Sequence, residues 1–149
     1  MELFQVGHFT LASGASSSYK IECDAITPAG WEAIAAIAVR RLRPFYTVVG
    51  VPRGGRPFAA ALRKYESANP NDGLLIAEDV VTTGGSVRKY RAYCDENMAA
   101  AVFGVQGVCL FYRPPAVRGF WRSLLSTLSL SDPYRPRWVV PIFTLTPER

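Results

Sequence analysis

The sequence predicts an α/β fold in which a mostly parallel, Rossmann-like sheet is covered by helices on both faces. Three apolar runs of strand length, at 47–51, 74–77 and 101–111, alternate with segments of helical periodicity. Glycine-rich turns follow the first two runs, at 52–55 and 84–85, where sheets of this kind bind ligands. With 149 residues, of which 49% are hydrophobic and 19% charged, the chain is expected to form one domain around one core.

The N-terminal part of the chain predicts two or three short strands. Hydrophobic side chains alternate with polar ones from Phe4 to Leu11 and again from Tyr19 to Cys23. The stretch SGASSS between them is rich in glycine and serine, which favour turns.

Three helices are expected in the part of the chain that follows. The first lies between Thr27, a suitable N-cap, and Pro44, which cannot continue a helix. The second is expected from Pro57 to about Tyr65, and the third from about Ser86 to Asn97. Residues 78–86 are expected to form the loop that enters the third helix.

The pattern weakens beyond the third apolar run. Residues 114–137 form a variable segment with proline-rich flanks, in which 120–128 predicts a short helix. That helix is expected to cover the sheet or build a subunit interface, rather than dock on a membrane surface. A final strand is expected within residues 138–144, and Pro141 indicates an edge position.

The bulk properties indicate a basic, cytoplasmic protein with reduced cysteines. A net charge of +5 suits an anionic ligand and also permits nucleic acid. The three cysteines are odd in number and lack metal-ligand spacing, so we expect them to be structural thiols. The N-terminus does not have the pattern of a signal peptide, and no apolar run approaches the roughly 18 residues of a membrane span.

Two adjacent carboxylates and a run of hydroxyl and glycine residues follow the apolar run 74–77. Glu78 and Asp79 are suited to accept hydrogen bonds from the vicinal diol of a sugar and to bind Mg²⁺. The residues TTGGS at 82–86 precede a helix, so their backbone N–H groups form a cradle for phosphate. Together they predict a site for a phosphorylated ribose. An ordinary turn capped by Ser86 would explain the glycines and the serine, but not two threonines with two acids.

The segment LLIAEDVVTTGGS at 74–86 resembles the phosphoribosyl pyrophosphate (PRPP) binding signature of the type I phosphoribosyltransferases. The resemblance implies the fold of that family, in which a small N-terminal hood of short strands accompanies the sheet. It implies that Glu78 and Asp79 are catalytic residues that orient the ribose and bind Mg²⁺ largely through ligand and water. The implied ribose-5-phosphate-binding residues are Glu78, Asp79, Val80, Val81, Thr82, Thr83, Gly84, Gly85 and Ser86.

A second segment, VVGVPRGGRPFA at 48–59, resembles the pyrophosphate-binding loop of the family. Its glycines would let the backbone approach the diphosphate, and Arg53 or Arg56 would neutralise it. Arg53 is the third implied catalytic residue. Taken alone, the segment also fits an ordinary strand-to-helix turn with a solvated arginine. The implied pyrophosphate-binding residues are Pro52, Arg53, Gly54, Gly55 and Arg56.

A third segment, FTLASGASSSYKIECD at 9–24, resembles the hood that closes over the pyrimidine in orotate phosphoribosyltransferases. The implied base-binding residues are Phe9, Ser13, Tyr19, Lys20, Ile21 and Arg113. The resemblance spans most of residues 3–113. It divides a single domain, 1–149, into a hood at about 1–26, a core at about 27–113, the variable segment and the final strand.

The chain departs from the orotate enzymes between the second helix and the PRPP strand. Those enzymes carry there a long flexible loop that supplies lysines and a histidine, whereas KYESANPNDG at 64–73 is the whole connection here. Lys64 is the nearest cation, and we do not expect it to replace the loop. Ala12 stands where the subfamily has a lysine, and His8 is expected to be an exposed strand residue rather than a base contact.

The resemblance implies a pentosyltransferase of the glycosyltransferase class. It would transfer ribose 5-phosphate from PRPP to a nucleobase, with an orotate-like pyrimidine favoured, and release pyrophosphate. The implied cofactor is Mg²⁺ and the implied assembly a homodimer. The alternative is a catalytically weak PRPP- or nucleotide-binding regulator of the same fold, for which a nucleic-acid partner is permitted but not favoured. The missing loop favours the regulator, whereas the hood and Arg113 favour the enzyme.

Overall fold

The strands of the chain form two sheets, as seen in a computed structural model that describes residues 1–10, 14, 16–114 and 135–145. A hairpin of two antiparallel strands, called the hood, comprises β1 (Phe4–Thr10) and β2 (Ser16–Ile21). The larger sheet is parallel, with the order β3 (Thr47–Gly50), β4 (Leu74–Val81), β5 (Val105–Tyr112) and β6 (Val139–Thr144). The helices are α1 (Pro28–Ala38), α2 (Gly55–Leu62) and α3 (Gly85–Asn97). The predicted α/β class, with a parallel sheet and a small N-terminal hood, is confirmed.

The parallel sheet is covered on both faces, as its continuous apolar strands predict. On one face α1 and α2 pack together, and the rings of Trp31 and Phe58 stack at 5.6 Å between centroids. On the other face α3 contributes Val87 to a second core. Side chains alternate along β4, so Leu75 enters the first core and Ile76 the second. The two cores cover β4 on both faces of the sheet.

The first two helices begin or end at residues other than those predicted. The N-cap Thr27 is confirmed, because its side chain accepts a hydrogen bond from the backbone N–H of Gly30. However, α1 ends at Ala38 and tightens into a 3₁₀ turn, since a residue that precedes a proline, here Arg43, is disfavoured in helical conformation. The second helix begins two residues early, at Gly55, and ends at Leu62 in another 3₁₀ turn.

The strand β4 is longer than predicted. Its pairing with β5 continues past Ala77 as far as Val81, opposite Tyr112, because β5 is equally long and supplies partners for the ladder. Glu78 therefore begins the last half of a strand, and the prediction of a loop from residue 78 is wrong. The strand β5 begins at Val105 rather than at residue 101, because a 3₁₀ turn precedes it.

The remaining predictions concern the sheet edge and the cysteines. The strand β6 lies at one edge of the described sheet, as Pro141 indicated. Cys23, Cys94 and Cys109 are buried free thiols, as predicted. The predicted helix at 120–128 lies outside the described residues.

Candidate functional site

Two glycine-rich turns meet at the carboxyl edge of the parallel sheet. β3 leads into α2 through residues 51–54, and β4 leads into α3 through residues 82–84. Because β3 and β4 are parallel neighbours, both turns lie at the same edge. The backbone N–H of Val51 donates to the carbonyl of Ala77 at 2.9 Å and ties the first turn to β4.

Glycine is required in the first turn because β4 approaches it closely. A Cβ atom on Gly54 would overlap the carboxylate of Asp79, and a Cβ atom on Gly55 would overlap the carbonyl oxygen of Ala77. A larger residue at either position would push the turn away from the strand. The spacing between the two predicted ligand segments is therefore set by glycine.

Two exposed arginines flank these glycines. Arg53 follows a cis peptide bond with Pro52, and the backbone N–H of Arg56 donates to the carbonyl of Arg53 at 3.2 Å. Both residues lie near the N-terminus of α2, where the backbone N–H groups of Gly55 and Arg56 donate within the turn. The two guanidinium groups make this turn suitable for a diphosphate.

Glu78 is buried, with 6% of its surface exposed. Its Oε1 accepts a hydrogen bond from the backbone N–H of Asp79 at 3.2 Å. Burial, followed by a hydrogen bond with the Asp79 carboxylate and the charge of that carboxylate, raises the pKa of Glu78 to about 9. Glu78 is therefore expected to carry its proton at neutral pH in the unliganded chain.

Asp79 is half-buried and lies between the two turns. Its Oδ1 accepts a hydrogen bond from the backbone N–H of Val80 at 2.8 Å, and its carboxylate faces Gly54. Its charge also reaches the buried thiol of Cys23, because burial and the nearby Asp79 carboxylate raise the pKa of that thiol to about 12. The contact with Cys23 was not predicted, because it depends on how the hood is joined to the core.

The second turn forms the start of α3. Gly84 has φ 72°, a left-handed conformation that glycine adopts at no steric cost, and α3 begins at the next residue. Thr83 is exposed, and its carbonyl accepts a hydrogen bond from Nη1 of Arg88 at 2.7 Å. Val80 and Val81 direct their side chains into the two cores, so their contribution to a ligand is limited to the backbone.

Arg113 joins the hood to the core. It is 8% exposed, and its backbone N–H donates to the carbonyl of Val81 at 2.9 Å. Its guanidinium donates to the hydroxyl of Ser17, and it lies 4.0 Å from the centre of the Tyr19 ring. Two of the predicted base-binding residues, Tyr19 and Arg113, are thus in contact. Ser17 was not among the predicted site residues, although its position between two exposed serines of a strand could have indicated an inward side chain.

The other predicted base-binding residues are distributed along the hood. Phe9 and Ile21 are half-buried on its inner face. The side chain of Lys20 is exposed and forms an ion pair with Glu22. Ser13 lies outside the described residues.

His8 is exposed in β1, as predicted for it. The pairing of β1 with β2 is irregular between Val6 and Phe9, which includes this residue. Residues of both strands line a cavity of about 290 Å³ here. His8 lies on its border.

Comparison with known proteins supports the resemblance inferred from the sequence. No family model matches the chain. The orotate phosphoribosyltransferase of Methanosarcina mazei is 34% identical over 108 residues, covering 55% of this chain and 58% of that protein. The crystal structure of the orotate phosphoribosyltransferase from Aeropyrum pernix matches 95% of this chain and 88% of its own, with a TM-score of 0.64 and 22% identity. The chain has the type I phosphoribosyltransferase fold.

A second solved structure is similar over most of this chain. The UMP synthase of Leishmania donovani matches 96% of this chain and 34% of its own, with a TM-score of 0.59 and 21% identity. The proteins from M. mazei and A. pernix confirm the resemblance to orotate phosphoribosyltransferases. The matched part of this chain spans 58% of the length of the curated relative from M. mazei.

The connection between α2 and β4 in this phosphoribosyltransferase fold is short and is hydrogen-bonded to the β3 edge of the sheet. Glu66 accepts a hydrogen bond from the backbone N–H of Val48 at 2.9 Å, on the outer side of β3. The backbone N–H of Ser67 donates to the carbonyl of Phe45 at 2.8 Å. The connection therefore runs along the edge of the described sheet instead of reaching over the site.

Lys64 does not replace the cationic loop. It forms an ion pair with Glu32 of α1, at the end of α2 opposite to the glycine-rich turn. The eight residues of α2 place about 12 Å between that turn and Lys64, at 1.5 Å per residue.

The site fits a magnesium ion held mainly by its ligand. No group of three histidine, cysteine or carboxylate side chains converges in the part of the chain that is described, so a protein cage is not formed there. Magnesium is commonly held by one or two carboxylates together with phosphates and water. Asp79, beside the first glycine-rich turn, is suited to that role. None of the helices within the described ranges is long and apolar enough to cross a membrane.

Proposed function

We propose that the chain is a phosphoribosyltransferase that transfers ribose 5-phosphate from PRPP to a pyrimidine nitrogen, with orotate as the acceptor. The observation that carries the proposal is the contact between the first turn and β4, in which the Asp79 carboxylate lies against Gly54, three residues before the second turn begins. PRPP bears one phosphate and one diphosphate on a single ribose. One turn for the 5-phosphate and one for the diphosphate, with the carboxylate of Asp79 close by, would match the phosphate groups of PRPP.

The reaction forms a bond between the base nitrogen and the anomeric carbon and breaks the bond from that carbon to the diphosphate oxygen. In the proposed complex the 5-phosphate binds at Thr82–Ser86, at the N-terminus of α3. Asp79 accepts hydrogen bonds from the ribose hydroxyls and fixes the ring for attack. Arg53 and Arg56 stabilise the negative charge that develops on the leaving diphosphate.

Mg²⁺ belongs to the proposal as cofactor. When bound, it would neutralise diphosphate charge, and Asp79 is the residue that would hold it, largely through water and the ligand. A protonated Glu78 beside Asp79 leaves a single carboxylate charge to be shared with the metal. A homodimer in the cytoplasm completes the proposal.

A second function, that of a catalytically weak PRPP- or nucleotide-binding regulator, is favoured by one observation. The connection from α2 to β4 is engaged with the outer side of β3, and Lys64 is paired with Glu32. Neither supplies a cation to the leaving group. Such a chain would hold PRPP by the same two turns but release pyrophosphate slowly.

The deciding experiment measures pyrophosphate release from PRPP and Mg²⁺ across a panel of nucleobases, with orotate first. We expect release with orotate above the other bases. Asp79→Asn is expected to weaken PRPP binding about tenfold, because a hydrogen bond to a charged group is lost, while the melting temperature is retained.

The matched control is Asp95→Asn, which removes the same charge from an exposed position on α3. It should leave PRPP affinity unchanged. Binding of PRPP without release for any base would favour the regulator, and no binding at millimolar PRPP would contradict both functions.

A further inference from the structure

Ser17 is buried, whereas its neighbours Ser16 and Ser18 along β2 are exposed. A hydroxyl with 4% exposure requires hydrogen-bond partners, since a buried polar group without them is costly. Its Oγ donates to the carbonyl of Tyr19 at 2.5 Å and accepts from the backbone N–H of Tyr19 at 3.0 Å. The hydroxyl therefore has a fixed place within the hood.

The same oxygen accepts a hydrogen bond from Nη2 of Arg113. Nη1 of Arg113 lies 3.4 Å from the Tyr19 carbonyl, and the guanidinium lies 4.0 Å from the centre of the Tyr19 ring. The main chain of Arg113 is held by Val81 at the end of β4. Arg113 is thus held by the sheet through its backbone and by the hood through its guanidinium.

We propose that Ser17 is a positioning residue that holds the guanidinium of Arg113 in the orientation in which it meets the base. This inference rests on the proposed function and on the resemblance to the orotate enzymes, which implies that Arg113 contacts a pyrimidine beneath the hood. A guanidinium presents its N–H donors in a rigid planar fork, so its rotation decides which acceptors it can reach. Fixing it before the base arrives also removes the entropy cost of ordering a long side chain during binding.

A merely structural role would give a different pattern of effects. If Ser17 only stabilised the hairpin, its loss would lower the melting temperature and affect every ligand alike. If it acts through Arg113, its loss affects the base alone, and it has no further effect once the fork of Arg113 is removed.

The test is a double-mutant cycle on the full chain, with orotate and PRPP·Mg²⁺ titrated separately by calorimetry. We expect Ser17→Ala to weaken orotate binding about tenfold and PRPP binding less than twofold. Ser16→Ala, an exposed serine of the same strand, is the control and should change neither. Adding Ser17→Ala to Arg113→Lys should give no further loss of orotate affinity. Losses that multiply would overturn the proposal.

A second measurement decides the positioning role independently of the base. In the chain labelled with ¹⁵N-arginine, the signals of Arg113 are assigned by their absence in Arg113→Lys. We expect slow rotation of this guanidinium in the parent chain and in Ser16→Ala, and fast rotation in Ser17→Ala. Unchanged rotation in Ser17→Ala would overturn the proposal. Fast rotation in that variant, together with a parent chain that binds PRPP but not orotate, would retain the positioning of Arg113 and contradict the proposed acceptor.

Discussion

At the scale of single residues, Glu78 makes the stability of the unliganded chain depend on pH. Its pKa is raised from 4.5 to about 9 on folding, chiefly by burial. Below pH 4.5 both folded and unfolded chains hold the proton. Between the two values the unfolded chain releases it first, so the folded state loses stability as pH rises, by at most about 1.4 kcal/mol per pH unit.

Glu78→Gln is therefore expected to be more stable than the parent chain, with an advantage that grows from about pH 5 to about pH 8. A glutamine keeps the shape of the side chain and carries no titrating proton. The measurement is the free energy of unfolding in urea, without metal or PRPP. Glu96→Gln, at an exposed position of α3, should show no such growth. A constant difference between Glu78→Gln and the parent would contradict the burial effect.

Glu78 and Asp79 show which properties of a site can be predicted from residue types alone. The types of Glu78 and Asp79 predict their diol and metal chemistry, because that chemistry belongs to the carboxyl group itself. The proton on Glu78 could not be predicted, because it depends on burial between β4 and its neighbours. In the same way, the contact of Cys23 with Asp79 depends on distant parts of the chain meeting.

At the scale of elements, the contact between the first turn and β4 predicts the effect of Gly54→Ala. The new Cβ would overlap the Asp79 carboxylate, so the turn must move away from the strand. We expect a loss of about 1–3 kcal/mol in unfolding free energy, as for overpacked sites, and at least tenfold weaker PRPP binding.

The overlap itself is tested with Asp79→Ala, which removes the carboxylate. In that background Gly54→Ala should cost clearly less stability, because the group it collides with has gone. An equal cost in both backgrounds, measured by urea unfolding, would show that the turn is limited by another contact.

Element types were predictable, whereas their limits were not. Apolar runs and the Thr27 cap gave the order of strands and helices, since these signals are local. The extension of β4 to Val81 depends on the equal length of β5, and the early end of α1 depends on Pro44. A local sequence pattern does not show which strands will pair or how far their pairing extends.

At the scale of the whole molecule, ligand binding at both turns should stabilise the fold by mass action. PRPP with Mg²⁺ at a hundred times its Kd is expected to add about 2.7 kcal/mol to the unfolding free energy. For a chain of 149 residues this corresponds to a rise of roughly 5–10 °C in the melting temperature.

The same melting-temperature measurement is repeated with ribose 5-phosphate and with pyrophosphate, the two parts of PRPP. Ribose 5-phosphate is expected to bind at the second turn and pyrophosphate at the first. Each should therefore raise the melting temperature less than PRPP does at equal concentration. Absence of any shift with millimolar PRPP would contradict the ligand assignment. Equal shifts with pyrophosphate alone would indicate simple anion binding.

The short connection after α2 also has a consequence for how the chain behaves in a crowded solution. β3 is a strand at the edge of the described sheet, and an uncovered edge is a template for pairing with another molecule. On that side the carboxylate of Glu66 accepts a hydrogen bond from the backbone N–H of Val48 and places a negative charge at the edge. The backbone N–H of Ser67 donates to the carbonyl of Phe45. The segment between α2 and β4 thus covers part of this edge and is expected to reduce its pairing with other molecules.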